Sequence, residues 1–144
     1  MSKVAVVYWS GTGNTEIMAN KVAEGAKEGG AEVEVFEAEG FSADKMDEFD
    51  AVAFGCPSMG CEELEDTIFE PMFASCESKL QGKKIALFGS YGWGDGEWMR
   101  DWAERMKNAG AVLLREEGII TNDAPEDDML EELKAAGQEL AQKA

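Results

Sequence analysis

The sequence predicts an α/β fold: one three-layer domain over residues 1–144, with helices on both faces of a five-stranded parallel sheet. Apolar, β-branched runs alternate with amphipathic stretches from one end of the chain to the other. Strands that alternate with helices require right-handed crossovers, and these make a parallel sheet. No linker, internal repeat or low-complexity segment divides the 144 residues.

Residues 4–9 form a continuous apolar run and read as a strand buried on both faces. Met18, Ala19, Val22, Ala23 and Ala26 then recur at helical spacing up to Gly29-Gly30, a strong stop. Residues 31–36 alternate as a second strand, with Val33 and Val35 on one face and Glu32 and Glu34 on the other. A polar link with a short helix around residues 44–47 leads to a buried-type strand at 51–56. A helix is expected over 64–73, limited by Pro71, and Lys83-Lys84 introduces a strand at 85–89. Asp95 can cap a helix that carries Trp98, Met99, Trp102 and Met106 on one side. Residues 111–114 and Ile119-Ile120 read as one last strand, interrupted by Glu116-Glu117-Gly118. Leu130, Leu133, Gly137 and Leu140 line a final helix that Asp123 and Pro125 can start.

Composition narrows the function. Thirty Asp and Glu stand against 13 Lys and Arg, a net charge of −17, and there is no histidine. That absence removes Ser-His-Asp and Cys-His catalysis and every His-ligated metal site. The negative charge disfavours nucleic acid and anionic membranes and favours partners with a basic face. Three cysteines, Cys56, Cys61 and Cys76, are an odd number and argue against a secreted disulfide framework. Cys56-x4-Cys61 lacks the further cysteines that an iron–sulfur run needs, so no metal is expected. The apolar run at residues 4–9 is too short for a signal peptide and has no cleavage site, so none is expected, and no stretch approaches the about 18 apolar residues of a membrane span. A reducing cytoplasm is the expected location.

In such sheets ligands bind at the carboxyl ends of the strands. The first strand runs into Ser10-Gly11-Thr12-Gly13-Asn14-Thr15 and straight on into a helix. Glycines allow a tight turn that brings amides close to an anion, and the helix N-terminus adds positive potential. Neither the P-loop pattern nor Gly-x-Gly-x-x-Gly is present, so this is a cup for one phosphate, held without a cation. An ordinary capped strand-to-helix turn is the bland alternative. The third strand ends in Cys56-Pro57-Ser58-Met59-Gly60-Cys61-Glu62 and the fourth in Gly89-Ser90-Tyr91-Gly92-Trp93-Gly94-Asp95-Gly96, at the same rim. Trp93 between two glycines has no periodic apolar neighbours, which suits a stacking platform for a planar ligand, with Tyr91 assisting. Met59 offers a soft sulfur for the opposite face of a ring, and Gly60 a flexible backbone. A phosphate cup, an aromatic and a flexible turn together describe a site for a mononucleotide with a large flat ring.

The segments 8–16, around Met59-Gly60, and 87–96 resemble flavodoxins, more narrowly the short-chain type from anaerobic bacteria such as clostridia. The resemblance covers essentially the whole chain. It implies a flavodoxin-like α/β/α sandwich with strand order 2-1-3-4-5, and FMN bound non-covalently. Ser10, Thr12, Asn14 and Thr15, with amides around Gly11 and Gly13, are then expected to hold the phosphate. Pro57 and Ser58 belong to the turn that Met59 extends over the ring, opposite Trp93. The Gly60 carbonyl is expected to accept from flavin N5–H after one-electron reduction, and the Glu62 carboxylate from N3–H. Backbone from Tyr91 through Gly92 to Gly94, with Ser90, is expected at the pyrimidine edge, and Asn122 at the ribityl-phosphate side. Cys61 follows Gly60 where many relatives have an acid or glycine.

The implied function is a low-potential one-electron carrier that shuttles electrons between redox enzymes via the flavin semiquinone and hydroquinone. It is not expected to be an enzyme. Expected partners are ferredoxin/flavodoxin-type reductases and oxidoreductases with basic docking faces, and the expected state is a monomer. Acidic surroundings disfavour an anionic hydroquinone. One charge about 8 Å away is worth roughly 2 kcal/mol at an effective dielectric near 20. Two rival classes share such a fold. A flavin-dependent NAD(P)H or quinone reductase needs a second pocket over the ring. A signalling receiver domain needs an aspartate after strand three, where this chain has Cys56-Pro57. A third reading makes Cys61 a redox-sensing thiol, although Glu62 and Glu63 would raise its pKa.

Overall fold

The computed structural model describes residues 2–60, 62–115 and 118–144. Valines and alanines that satisfy two apolar faces at once form the central strands. These are β1 (Lys3–Tyr8), β3 (Ala51–Gly55) and β4 (Lys84–Tyr91). Val4, Val6, Ala51, Ala53 and Phe88 face one core, packed against α1 (Asn14–Glu28) and α5 (Asp127–Lys143). Ala5, Val7, Val52, Phe54, Ile85 and Leu87 face the other. That side is covered by α2 (Ala43–Met46), α3 (Phe69–Cys76) and α4 (Glu97–Asn108). The strand β2 (Glu32–Glu37) pairs with β1 at one edge. All pairings within the sheet are parallel and its order is β2-β1-β3-β4-β5, as expected.

The fifth position is split. Both β5 (Val112–Leu113) and β6 (Ile119–Asn122) pair with β4, one after the other, so a single ladder accommodates the interruption read from the sequence. Glu116 and Glu117, in that interruption, lie outside the described residues.

Several boundaries differ from those the sequence predicts, and four of them do so for a local reason. The first strand ends at Tyr8, so Trp9 leaves the sheet. The third helix starts at Phe69 rather than at 64. Glu65, buried at this entrance, supplies its start: the carboxylate accepts amide hydrogens from Thr67, Ile68 and Phe69 at 2.7–2.9 Å and the Thr67 hydroxyl. Pro71 falls in the first turn, where its missing N–H has no intrahelical role. Asp95 is not the cap of α4. Gly96 occupies that position at φ +93°, while Asp95 pairs with Arg100. The last helix begins at Asp127, with Glu126 as cap, because Asp123 adopts the left-handed region at φ +59° and turns the chain away first.

Two helix pairs lock the outer layers. The α1 and α5 backbones touch: a Cβ at Gly137 would stand 2.1 Å from the Val22 carbonyl oxygen, and one at Gly25 2.0 Å from that of Lys134. On the other face Arg105 ties α4 to the α3 region, with bonds to both Glu70 oxygens at 2.7 Å and to Glu77, and its guanidinium lies 4.7 Å from the Phe73 ring centroid.

Gly137→Ala is therefore expected to lower stability in urea unfolding by about 2 kcal/mol, the cost of forcing two packed backbones apart, even though alanine is the better helix former. Burial pushes the Glu65 carboxyl up, but the Thr67 hydroxyl and the three amides outweigh it and hold its pKa below the usual glutamate value. A group depressed in the folded state contributes stability above its unfolded pKa, and that stability is lost as pH falls through the folded pKa. Glu65→Gln should thus lower stability at pH 7 by about 2 kcal/mol, with the gap from wild type closing as pH drops below about 4.3. A gap that stays constant into acid contradicts this role for the carboxylate.

Candidate functional site

Because every strand points the same way, the loops after β1, β3, β4 and β6 emerge on one rim. The β1–α1 loop is built to leave donors free. Ser10 Oγ accepts the Gly13 amide at 3.0 Å and closes the turn. Gly13 at φ +99° then starts α1 with no side-chain cap. The amides of Thr15 and Glu16 have no acceptor among the described residues, and that of Asn14 reaches Thr12 Oγ1 only at 3.5 Å. These orphan donors, at the positive end of a 15-residue helix, suit an anion. No lysine or arginine lines the cleft beside them among the described residues. A phosphate held by neutral N–H and O–H groups fits this donor set.

The loop is fastened from behind. Thr15 and Ser90 are both buried, and their hydroxyls share a hydrogen bond of 3.1 Å, which joins α1 to the end of β4. The Ser58 amide donates to the Ser90 carbonyl at 2.9 Å, so the third loop is registered to the same strand. Beyond it Met59 and Glu63 exchange both backbone hydrogen bonds, 2.8 and 2.9 Å, and close a tight turn. Gly60 and Glu62 within it have φ +52° and +54°. Cys61 lies outside the described residues.

A cleft of about 220 Å³ opens between these loops, lined by Gly11, Thr12, Asn14, Pro57, Ser58, Met59, Ser90, Tyr91 and Gly92, all expected from the sequence. Trp9 and Asp123 line it as well. The sequence nominates neither as a site residue. Trp9 looked like the last strand residue, although an aromatic at the boundary of a Gly-rich loop is itself a signal. Asp123 looked like a helix starter, but an Asn-Asp pair after a strand tolerates the left-handed conformation it takes. A second cavity, lined in part by Gly60, Glu63 and Glu65, shares Trp9 and Met59 with the first. The charged residues lining the two, Asp123, Glu63, Glu65 and Asp66, are all acidic.

Other expected residues stand outside the cleft lining. Trp93 is 64% exposed. Asn122 uses its side-chain amide to donate to the Tyr91 carbonyl at 3.3 Å, and bracing that strand end is its visible role. Glu62 Oε1 accepts the amides of Gly96 and Glu97 at 3.2 and 3.0 Å, so this carboxylate caps α4 from another loop. Gly94 makes room for it: a Cβ there would lie 2.6 Å from the Glu62 carboxyl carbon. Cys56, at the end of β3, is fully buried, and burial pushes its thiol pKa far up. It is a packing group, with its sulfur accepting the Glu65 amide at 3.4 Å.

Comparisons with known proteins agree with this geometry. The family model described as Flavodoxin matches residues 6–137. A flavodoxin of Megasphaera elsdenii is 46% identical over 138 residues, 96% of this chain and 98% of that one. One from Clostridium beijerinckii is also 46% identical, over 88% of this chain and 93% of its own. The solution structure of two-electron reduced Megasphaera elsdenii flavodoxin superimposes with a TM-score of 0.82 at 44% identity, covering 94% of this chain and 98% of that one. The phosphate-type cup, the parallel rim and these matches over nearly the full length leave one conclusion: the chain belongs to the flavodoxin family, whose members bind FMN and carry electrons.

Proposed function

We propose that FMN sits non-covalently in the rim cleft with its phosphate on the β1–α1 loop, and that the chain works as a carrier of single electrons between redox enzymes without substrate chemistry of its own. The observation that carries this reading is the pair of uncommitted amides at the α1 N-terminus, opening on a cleft walled by Met59 and Tyr91. Bound FMN supplies the redox chemistry. The protein positions it: Ser10, Gly11, Thr12, Gly13, Asn14 and Thr15 form the phosphate cup, and Pro57, Ser58, Met59, Gly60 and Glu62 form the turn along the ring. Ser90, Tyr91, Gly92, Trp93 and Gly94 form the opposite wall, and Asn122 braces its end.

An indole flanked by two glycines and 64% exposed offers an open face, on which a planar ligand can stack. The acidic lining has a second consequence. Carboxylates around the cleft oppose addition of further negative charge to the ring and attract a partner with a basic face. The reading makes the protein a cytoplasmic monomer folded as one domain. In support, edge strand β2 carries Glu32, Glu34 and Glu37, whose like charges resist edge-to-edge pairing. Among the described residues no helix is long and apolar enough to cross a membrane.

Trp93→Ala should weaken FMN binding about tenfold, or about 1.4 kcal/mol, in a flavin-fluorescence titration, and unchanged affinity removes Trp93 from the stack. Electron delivery to a basic partner enzyme should slow steadily as salt is raised, because an 8–10 Å Debye length already screens the rim at about 0.1 M. A rate indifferent to salt denies the acidic rim a docking role. NADPH oxidation with a quinone by the purified protein alone would instead favour the reductase reading.

A further inference from the structure

We propose that Trp98, on the first turn of α4, is a positioning residue that sets the reduction potentials of bound FMN by anchoring the entry of the 57–60 turn. The inference rests on the reading that this turn lies against the ring. Trp98 is 2% exposed, and its indole Nε1–H donates to the Cys56 carbonyl at 3.2 Å. Cys56 is the last residue before Pro57, and among the described residues no backbone amide donates to that carbonyl. A buried carbonyl needs a donor, and here a side chain from another element provides it. The close approach depends on Gly89, where a Cβ would stand 3.1 Å from the Trp98 ring and 2.2 Å from the Cys56 oxygen.

The same helical turn holds the exit. Gly96 and Glu97, the residues just before Trp98, donate their amides to Glu62 Oε1. The Trp98 ring also backs the cleft wall, tilted 50° against Tyr91 at 5.5 Å. Both ends of the turn are thus referenced to one rigid element, and Gly60 lies between them; among the described residues, its chain neighbours aside, no atom stands within 4 Å of where its Cβ would be. The Gly60 backbone can rearrange while the frame on either side stays fixed. Loosening one end changes the energy of that rearrangement, and it does so without removing any group that touches the phosphate.

The test compares wild type, Trp98→Phe and Gly60→Ala as FMN-bound proteins in a stepwise spectroscopic reduction titration. Trp98→Phe keeps an aromatic ring and deletes the donor. The ratio of the two one-electron reduction constants is expected to shift about fivefold, the worth of one buried hydrogen bond, with a smaller change in affinity for oxidised FMN. If Gly60→Ala shifts the ratio and a folded Trp98→Phe does not, the inference is overturned while the reading of the turn stands. If wild type does not bind FMN, or if neither variant moves the ratio, both fall. Should Trp98→Phe not fold, wild type carries the test through indole-proton exchange. The Trp98 indole proton is expected to exchange on the order of a hundredfold more slowly than that of exposed Trp93 in both the oxidised and the reduced protein. Exchange as fast as Trp93 in either state overturns the anchor.

Discussion

The rest of the structure depends on one constraint, that a sheet buried on both faces has nowhere to place polar chemistry except at its ends. Val4 to Val7 and Ala51 to Phe54 are fully buried, and neither face of the central sheet is open to a ligand. Parallel pairing then sends the β1, β3, β4 and β6 termini to a single rim. The hydroxyls, glycines and aromatics that a flavin needs are drawn from segments up to about a hundred residues apart, yet they meet there with no further device. The Thr15–Ser90 bond and the Ser58–Ser90 bond show how the rim is held: one residue at the end of β4 registers both the β1–α1 loop and the turn that starts at Pro57.

The legibility of the sequence followed the same division. The core strands and the split last strand could be read because buried periodicity is a local signal, whereas their order in the sheet came with the resemblance to flavodoxins. The Ser10–Thr15 loop and the Gly-Trp-Gly loop were readable because glycines and hydroxyls cluster there without any packing purpose. What could not be read are the helix starts supplied from a distance. Local spacing nominated Asp95 as the α4 cap, but the carboxylate that binds the α4 amides is Glu62, more than thirty residues earlier. It placed α3 five residues early because nothing in the pattern reveals that Glu65 turns inward to hold the helix amides. Trp9 and Asp123 were hidden by a related ambiguity. Each stands at an element boundary, where one residue of slippage moves a side chain from packing into the site.

The charge looks different once the rim is in place. A surplus of 17 carboxylates could be an evenly solvated coat. The charged residues that line the cleft and the cavity beside it are instead all acidic, and Arg100, a cation near the α4 start, is already paired with Asp95. In the proposed reading the phosphate is held against this background by neutral donors alone, so amide geometry rather than Coulomb attraction has to supply the affinity.

That division of labour makes the phosphate cup the central claim, and parallel titrations of the apoprotein with FMN and with riboflavin, which lacks only the phosphate, test it most directly. If the uncommitted amides at the α1 N-terminus hold the phosphate, FMN binds at least about a hundredfold more tightly than riboflavin, the sum of two or more charge-assisted hydrogen bonds. Equal affinities for the two would contradict the account.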